Sequence, residues 1–161
     1  MGRRSVKTDK SPLQLSREAL GLSREKASER AVYLSEDRIE KIESGRSQPR
    51  PDEVIALSTA YRDPYLCPEY CRRECAIGAR YMPPVPREDV ARVVLETLDA
   101  LNTLERRKDR LIEVAADGKL TPDEYADFAE LAEQMKRLSG CALSLQLWAE
   151  SAMKDKGGAE L

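Results

Sequence analysis

The stretch that decides the fold is LSEDRIEKIESGRSQPRPDEVIALSTAY, residues 34–61. Ile39 and Ile42 recur at helical spacing after Ser35, which is a favourable N-cap residue, and Gly45 is typical of a helix end. Pro49 and Pro51 then precede a second stretch of apolar residues at helical spacing. The pattern therefore predicts two short helices joined by a basic, proline-containing loop.

Similar cap and end signals predict two earlier helices, which makes four in all. The two earlier helices have cap signals at Ser11-Pro12 and Ser23, and Gly21 ends the first of them. Asp63-Pro64 ends the last of the four helices. Four short helices within residues 11–64 predict a small bundle near the lower size limit for independent folding. The apolar residues predicted to face its core are Leu15, Leu20, Leu22, Ala27, Val32, Ile39, Ile42, Val54, Ile55 and Leu57.

The segment GLSREKASER, residues 21–30, followed by the stretch quoted above, resembles the Cro/repressor-type (XRE family) helix-turn-helix domain. The resemblance implies a lambda-repressor-like bundle and a sequence-specific, DNA-binding transcriptional regulator. In that family the helix at 24–30 lies across the phosphate backbone and the helix at 36–43 enters the major groove. Arg24 would therefore contact a phosphate. The other DNA-facing positions it implies are Ser35, Glu36, Asp37, Glu40 and Lys41 in the groove, Arg38 beside them, and Arg46 and Arg50 along the backbone.

Two departures from the family pattern leave an alternative function open. The turn AVYL, residues 31–34, lacks the usual glycine and is one residue longer than the family pattern. Glu36, Asp37 and Glu40 also crowd the reading face; a carboxylate can accept from cytosine N4, but three of them weaken nonspecific attraction to phosphates. The alternative is a protein-interaction adaptor with a degenerate helix-turn-helix.

Charge and composition narrow the function further. The net charge of −2 is unevenly distributed along the chain. Residues 1–50 are basic, with 12 Lys/Arg and 8 Asp/Glu, whereas residues 83–161 are acidic, with 11 Lys/Arg and 16 Asp/Glu. Only the basic N-terminal segment suits a polyanion such as DNA. The chain has no histidine and no paired-acid or nucleophile constellation, so we expect a protein that is not an enzyme. No apolar run approaches a membrane span, and we expect a cytoplasmic protein.

The segment LCPEYCRRECAIG, residues 66–78, carries Cys67, Cys71 and Cys75 at four-residue spacing. We expect a helix with Cys67 as N-cap, Pro68 as its first residue and Gly78 beyond its end, which aligns the three thiols on one face. Three readings stay open: buried apolar side chains, a metal or iron–sulfur site with Cys141 as a fourth ligand, and a redox sensor. In the sensor reading, Arg72 and Arg73 would lower the thiol pKa values. No other cofactor is expected.

Beyond Pro83, Pro84 and Pro86, two long helical patterns predict an antiparallel hairpin with coiled-coil character over residues 87–155. At the joint, Gly118 is predicted to end the first helix, and Thr121 and Glu124 to cap the second. The first apolar stripe comprises Val90, Val94, Leu98, Leu101, Leu104, Leu111 and Ala115, and the second comprises Phe128, Leu131, Met135, Leu138, Ala142, Leu145, Ala149 and Ala152.

These segments predict an all-α chain in three parts: a helix-turn-helix domain at 11–64, a cysteine-bearing connector at 65–86, and the hairpin at 87–155. Leu143, Leu147 and Trp148 widen the apolar face of the hairpin, so we expect a second copy to complete a four-helix bundle as a homodimer. The order of these parts also resembles a clostridial-type group of helix-turn-helix proteins with a CxxxCxxxC segment.

Overall fold

The computed structural model describes residues 10–116 and 121–157. Within these ranges the chain contains helices and no strand, as predicted. It divides into two compact units between Arg80 and Tyr81. The connector predicted at 65–86 thus contributes two helices to the first unit and a proline-rich strip to the second. The predicted limits of the three parts stay predictions.

Four short helices open the first unit: α1, Pro12–Ala19; α2, Arg24–Arg30; α3, Glu36–Glu43; and α4, Pro51–Ala60. Ser11, Ser23 and Ser35 each accept the backbone N–H three residues on at 3.2 Å, which confirms the three predicted N-caps. Gly21 and Gly45 follow α1 and α3 with φ of 64° and 75°, a left-handed conformation that glycine adopts without steric cost.

The core of this unit is partly as predicted. Of the ten apolar residues expected there, the buried ones are Leu22, Ala27, Ile39, Ile42, Val54 and Leu57. Leu15, Leu20, Val32 and Ile55 are exposed, so that part of the prediction is wrong. The reason lies in the polar residues that take inward positions instead: Gln14, Ser16 and Arg17 on α1, Glu43 on α3, and Glu53 and Ser58 on α4.

Val32 occupies the turn between α2 and α3 in a left-handed conformation. Its φ is 55°, and its side chain is 87% exposed. A β-branched residue is a conformational outlier there, because its Cβ crowds the following carbonyl. The glycine that the sequence lacks in this turn would therefore suit position 32.

Val32→Gly is expected to raise the free energy of unfolding by about 0.5–1 kcal/mol, since relief of the left-handed strain exceeds the added chain entropy of glycine. Urea unfolding followed by circular dichroism measures this change. Val32→Ala is the control, because it removes the branch but retains the Cβ. A Val32→Gly protein less stable than Val32→Ala would contradict this account of the turn.

Two further helices follow in the first unit: α5, Leu66–Glu74, and α6, Ala76–Tyr81, whose last residue reaches the boundary between the units. The N-cap of α5 is Tyr65, and Cys75 leaves the helix with φ −95° and ψ 122°. The prediction of one helix with Cys67 as N-cap, Pro68 as its first residue and Gly78 beyond its end is therefore wrong. Gly78 lies inside α6, where a Cβ would overlap the carbonyl oxygen of Cys71. The absence of a side chain at Gly78 permits this close approach between the two helices.

The second unit holds α7, Val90–Arg106; α8, Lys108–Ala116; a 3-10 turn, Pro122–Glu124; and α9, Tyr125–Gly157. The first of the two long helical patterns, which covers residues 87–116, is not one unbroken helix, because Arg107 interrupts it with φ −105° and ψ 4°. Thr121 and Glu124 form the predicted capping box. The predicted helix end at Gly118 lies outside the described residues.

The helices α7 and α9 pack antiparallel, as expected. Arg107 binds Glu130 at 2.6 Å, and Asp99, earlier on α7, meets Arg137, later on α9, at 3.3 Å. The buried residues of α7 are Val93 and Ala100, whereas Val94, Leu98 and Leu101 of the predicted stripe are exposed. On α9, Leu131 of the predicted stripe is buried, and Phe128 and Met135 are not. Helical spacing therefore identified an apolar stripe on each helix, but several residues of these stripes do not lie in the interface between α7 and α9.

The proline-rich strip that precedes α7 lies along α9. The hydroxyl of Ser144 donates to the carbonyl oxygen of Pro86 at 2.7 Å. A Cβ at Gly140 would overlap the carbonyl oxygen of Pro84. Among the described residues, no helix combines the length and apolar character that a membrane span needs.

Candidate nucleic-acid interface

The helices α2 and α3 pack together at the front of the first unit. Ala27 and Ile39 are both fully buried between them and their neighbours. The Ser28 hydroxyl donates to the Leu34 carbonyl oxygen at 2.6 Å and so closes the turn that joins the two helices. The packing leaves the opposite face of α3 open, where Glu36, Asp37 and Lys41 are exposed. Most of the predicted groove-facing residues therefore share one accessible surface.

Arg38 is the best-held side chain of the predicted set. Its guanidinium donates to both oxygens of Glu53 at 2.8 and 2.7 Å. It also donates to the Ser47 hydroxyl and, at 3.0 Å, to the Gln48 carbonyl oxygen. The hydrogen bond from Arg38 holds the pKa of Glu53 below its ordinary value. Arg38 thereby ties α3 to the loop after it and to α4.

Arg24 is positioned by a buried carboxylate. Its Nε donates to Glu43 at 2.8 Å, while 31% of the Arg24 side chain stays exposed. Glu43 has no exposed side-chain surface and is also held by Arg17, through bonds of 2.6 and 2.9 Å. One edge of the Arg24 guanidinium is thus fixed to the core of the domain. Such an arrangement presents the rest of the group to an anion at the start of α2.

The remaining predicted cations pair with nearby carboxylates. Lys41 binds Asp37 at 2.6 Å, and Arg46 forms an ion pair with Glu40. The bond from Lys41 lowers the pKa of Asp37. Arg50 lies 3.7 Å from Asp52 and 3.5 Å from Glu53. Each predicted cation therefore already has an acidic partner, so the surface attracts phosphates less strongly than its basic residues alone would.

Ser35 has a local structural role in addition to its predicted contact. Its hydroxyl accepts a hydrogen bond from the backbone N–H of Arg38 and so caps α3. The structure thus brings the nine predicted DNA-facing residues onto α2, α3 and the loop after α3. It does not test their contacts with DNA, which stay predictions.

Three charged residues that sequence reasoning missed organise this surface. Arg17, Glu43 and Glu53 are buried and connect α1, α3 and α4 through the ion pairs just described. A signal existed for Glu43, because it stands four residues after Ile39, on the inward face of α3. A charge at an inward helix position indicates a buried partner, which here is Arg17.

The pKa of the Cys71 thiol is shifted in the opposite direction from the one that a redox sensor would need. Burial raises the pKa of the Cys71 thiol, and the neighbouring Cys75 and Cys67 raise it further. The expected lowering by Arg72 and Arg73 is thus wrong for Cys71. Part of the reason is that Arg73 binds Glu69 at 2.5 Å, and Arg72 also lies 3.9 Å from that carboxylate.

A metal role for these thiols stays a prediction. No group of three or more Cys, Asp or Glu side chains that could hold a metal ion is found in residues 10–116 and 121–157. Cys67, Cys71 and Cys75 therefore do not form a preorganised site. Cys141, the predicted fourth ligand, is buried in the second unit, where burial raises the pKa of its thiol.

A family model described as a helix-turn-helix domain matches residues 13–63, which span α1 to α4. No curated protein and no solved structure matches the chain. The family match and the α2–α3 geometry agree on the same segment. The chain therefore carries a helix-turn-helix domain, which suggests DNA as its partner.

Proposed function

We propose that the protein is a sequence-specific, DNA-binding transcriptional regulator of the XRE type, a cytoplasmic homodimer rather than an enzyme. The observation that supports it most is the exposed face of α3, framed by α2 within a helix-turn-helix domain. The absence of histidine from the sequence supports a noncatalytic role. The cysteine segment and the hairpin support a place in the clostridial-type group that the chain resembles.

In the proposed complex, α3 lies in the major groove and α2 crosses the phosphate backbone. The phosphates are contacted by Arg24, Arg46 and Arg50. When Arg46 binds a phosphate, the ion pair between Arg46 and Glu40 is broken. A carboxylate released in this way can accept a hydrogen bond from cytosine N4. In the protein without DNA, these ion pairs offset part of the attraction between the basic residues and phosphates. They therefore weaken nonspecific binding more than binding at a site whose bases contact the released carboxylate, which favours sequence-specific binding.

Lys41→Ala is expected to reduce the salt dependence of duplex binding. If Lys41 neutralises one phosphate, the slope of log K against log salt concentration becomes smaller by about 0.9. Fluorescence anisotropy of the full-length protein with a labelled mixed-sequence duplex, at several salt concentrations, measures this slope.

The matched control for Lys41→Ala is Lys108→Ala, which removes a similarly exposed lysine paired with Glu105 on the second unit. It should leave the slope unchanged. An unchanged slope for Lys41→Ala, with altered sequence preference, would place Lys41 at a base edge. An unchanged slope and unchanged preference would contradict the assignment of Lys41 to the interface.

The exposed side of α7 supports a dimer. Val94, Leu95, Leu98 and Leu101 form a contiguous apolar face that the hairpin does not cover, while smaller side chains such as Ala100 pack inward. Association of two such faces would complete a four-helix bundle. It would also hold two helix-turn-helix domains as a pair, which is how such domains read half-sites one helical turn apart.

A protein-interaction adaptor is the second candidate. The observation that favours it is the pairing of Arg38, Lys41 and Arg46 with carboxylates on the very surface that would meet DNA. An adaptor would show no steep, salt-dependent binding to duplex DNA, whereas the regulator would.

Thiol or metal sensing could accompany either function, since Cys67, Cys71 and Cys75 are free thiols that are only partly buried. Anaerobic metal analysis of the wild type beside a Cys71→Ser variant tests the metal form. A wild-type protein that contains no metal in this measurement would exclude the metal-sensing hypothesis.

A further inference from the structure

A cleft of about 320 Å³ lies within the first unit, between the start of α1, the loop after α3, and α5. Its apolar walls come from Leu13, Ile42, Pro49, Val54 and Leu66. Its volume is at the lower end of the range for small-molecule sites, and its lining is mostly apolar with a few polar groups at one edge. The cleft suits a compact ligand such as one aromatic ring with a short chain.

The polar edge of the cleft is unevenly charged. Glu69 is bound by Arg73 at 2.5 Å, so these two charges offset each other. Glu74 accepts a hydrogen bond from the neutral side-chain amide of Gln48 at 3.3 Å. Within the part of the chain that the structure describes, no cation pairs with Glu74. A negative charge therefore remains at the mouth of an apolar cleft. That charge complements a ligand with an apolar body and one protonated amine.

The cleft touches the proposed DNA-reading helix α3 at Ile42 and is also joined to it by the loop after α3. Ser47, Gln48 and Pro49 line it, and Tyr70 of α5 donates to the Pro49 carbonyl oxygen at 3.2 Å. The same loop accepts two hydrogen bonds from Arg38 on α3, at Ser47 and Gln48. A ligand that shifts the backbone at Gln48 would therefore alter one of the contacts that fix Arg38.

We propose that this cleft binds a small monocationic amine with an apolar body, and that occupancy alters DNA binding through the loop and Arg38. The regulatory half of this inference rests on the proposed function, whereas the binding half does not. The loop lines the cleft and also binds Arg38, and a ligand that changes DNA affinity in this way must have its own affinity changed by DNA to the same extent.

The test titrates full-length protein with 4-phenylbutylamine and, separately, with 4-phenylbutyrate, which has the same ring and chain length but the opposite charge. Backbone amide NMR signals report which residues respond. Saturable shifts are expected at Gln48, Tyr70 and Glu74, and the amine is expected to bind about fivefold more tightly than the carboxylate, as for one partly exposed charge pair. Glu74→Gln should bring the two ligands within about twofold of each other. Glu29→Gln, an exposed carboxylate on α2, is the matched control and should retain the preference for the amine.

Shifts outside the cleft, no saturable shift with millimolar amine, or equal binding of the two ligands would each overturn the binding site. The regulatory arm repeats duplex binding with and without saturating amine. Unchanged DNA affinity in a protein whose cleft is occupied would overturn the regulation alone. A protein that binds no DNA would instead overturn the proposed function, and the amine titration would still decide the cleft.

Discussion

Glu43→Ala is expected to lower the free energy of unfolding by about 3–5 kcal/mol, because it leaves the buried guanidinium of Arg17 without its counterion. The Glu43 side chain is fully buried and receives two bonds from Arg17 and one from Arg24. Desolvation makes an unpaired charge at this position far more costly than loss of an exposed pair. Urea unfolding of the full-length protein, followed by circular dichroism, measures the change.

Two variants separate the buried charge from other effects. Asp37→Ala removes the exposed partner of Lys41 on the same helix and is expected to change stability by less than about 1 kcal/mol. Arg17→Met combined with Glu43→Leu removes both charges and should recover much of the stability lost in Glu43→Ala. A loss below about 1 kcal/mol in Glu43→Ala itself would show that this ion pair does not hold the domain together.

Leu98→Asp is expected to convert the proposed homodimer to a monomer, with affinity for a duplex bearing two half-sites lowered about 100-fold. Leu98 lies at the middle of the exposed apolar face of α7 and is 51% exposed, so a carboxylate there disturbs association more than folding of the chain. Two of these carboxylates would otherwise be desolvated in the interface. Sedimentation equilibrium and anisotropy with the same duplex measure the two effects.

The control for Leu98→Asp is Ile55→Asp, which places the same charge at an exposed apolar residue of α4 in the first unit. It should leave the oligomeric state unchanged. A Leu98→Asp protein that remains a dimer at the concentration at which the wild type dimerises would exclude this face of α7 as the interface.

Helix positions in the first unit could be predicted because their signals are local. A serine at the N-cap and a glycine after the last turn act within four residues, and Ser11, Ser23, Ser35, Gly21 and Gly45 all act as expected. The left-handed conformation of Val32 could not be read in the same way. A β-branched residue disfavours that conformation, so the local sequence carried no signal for it.

The core and the hairpin seam were harder to predict because they depend on partners distant in sequence. Arg17 and Glu43 are 26 residues apart, and Arg38 and Glu53 are 15 apart, so periodicity alone could not show that these charges bury each other. On α7, helical spacing identified an apolar stripe, but not which face would pack. The break at Arg107 has neither proline nor glycine nearby as a signal.

The candidate site was predictable to the level of the helix and no further. The resemblance gave the ranges of α2 and α3, and the structure agrees with both. It did not indicate that Arg38 would be held by Glu53, or that Lys41 and Arg46 would each have a carboxylate partner. Those pairs determine how much positive charge the surface presents, and they follow from side-chain geometry that the sequence pattern does not specify.

DNA binding by a dimer of this protein is tested most directly by selection from a random duplex DNA pool with the reduced, full-length protein at low and moderate salt, followed by sequencing of the retained DNA. We expect an enriched motif with two related half-sites about one helical turn apart, and retention that falls steeply as salt increases. Absence of retention at low salt would contradict DNA binding by α3 and would favour the adaptor.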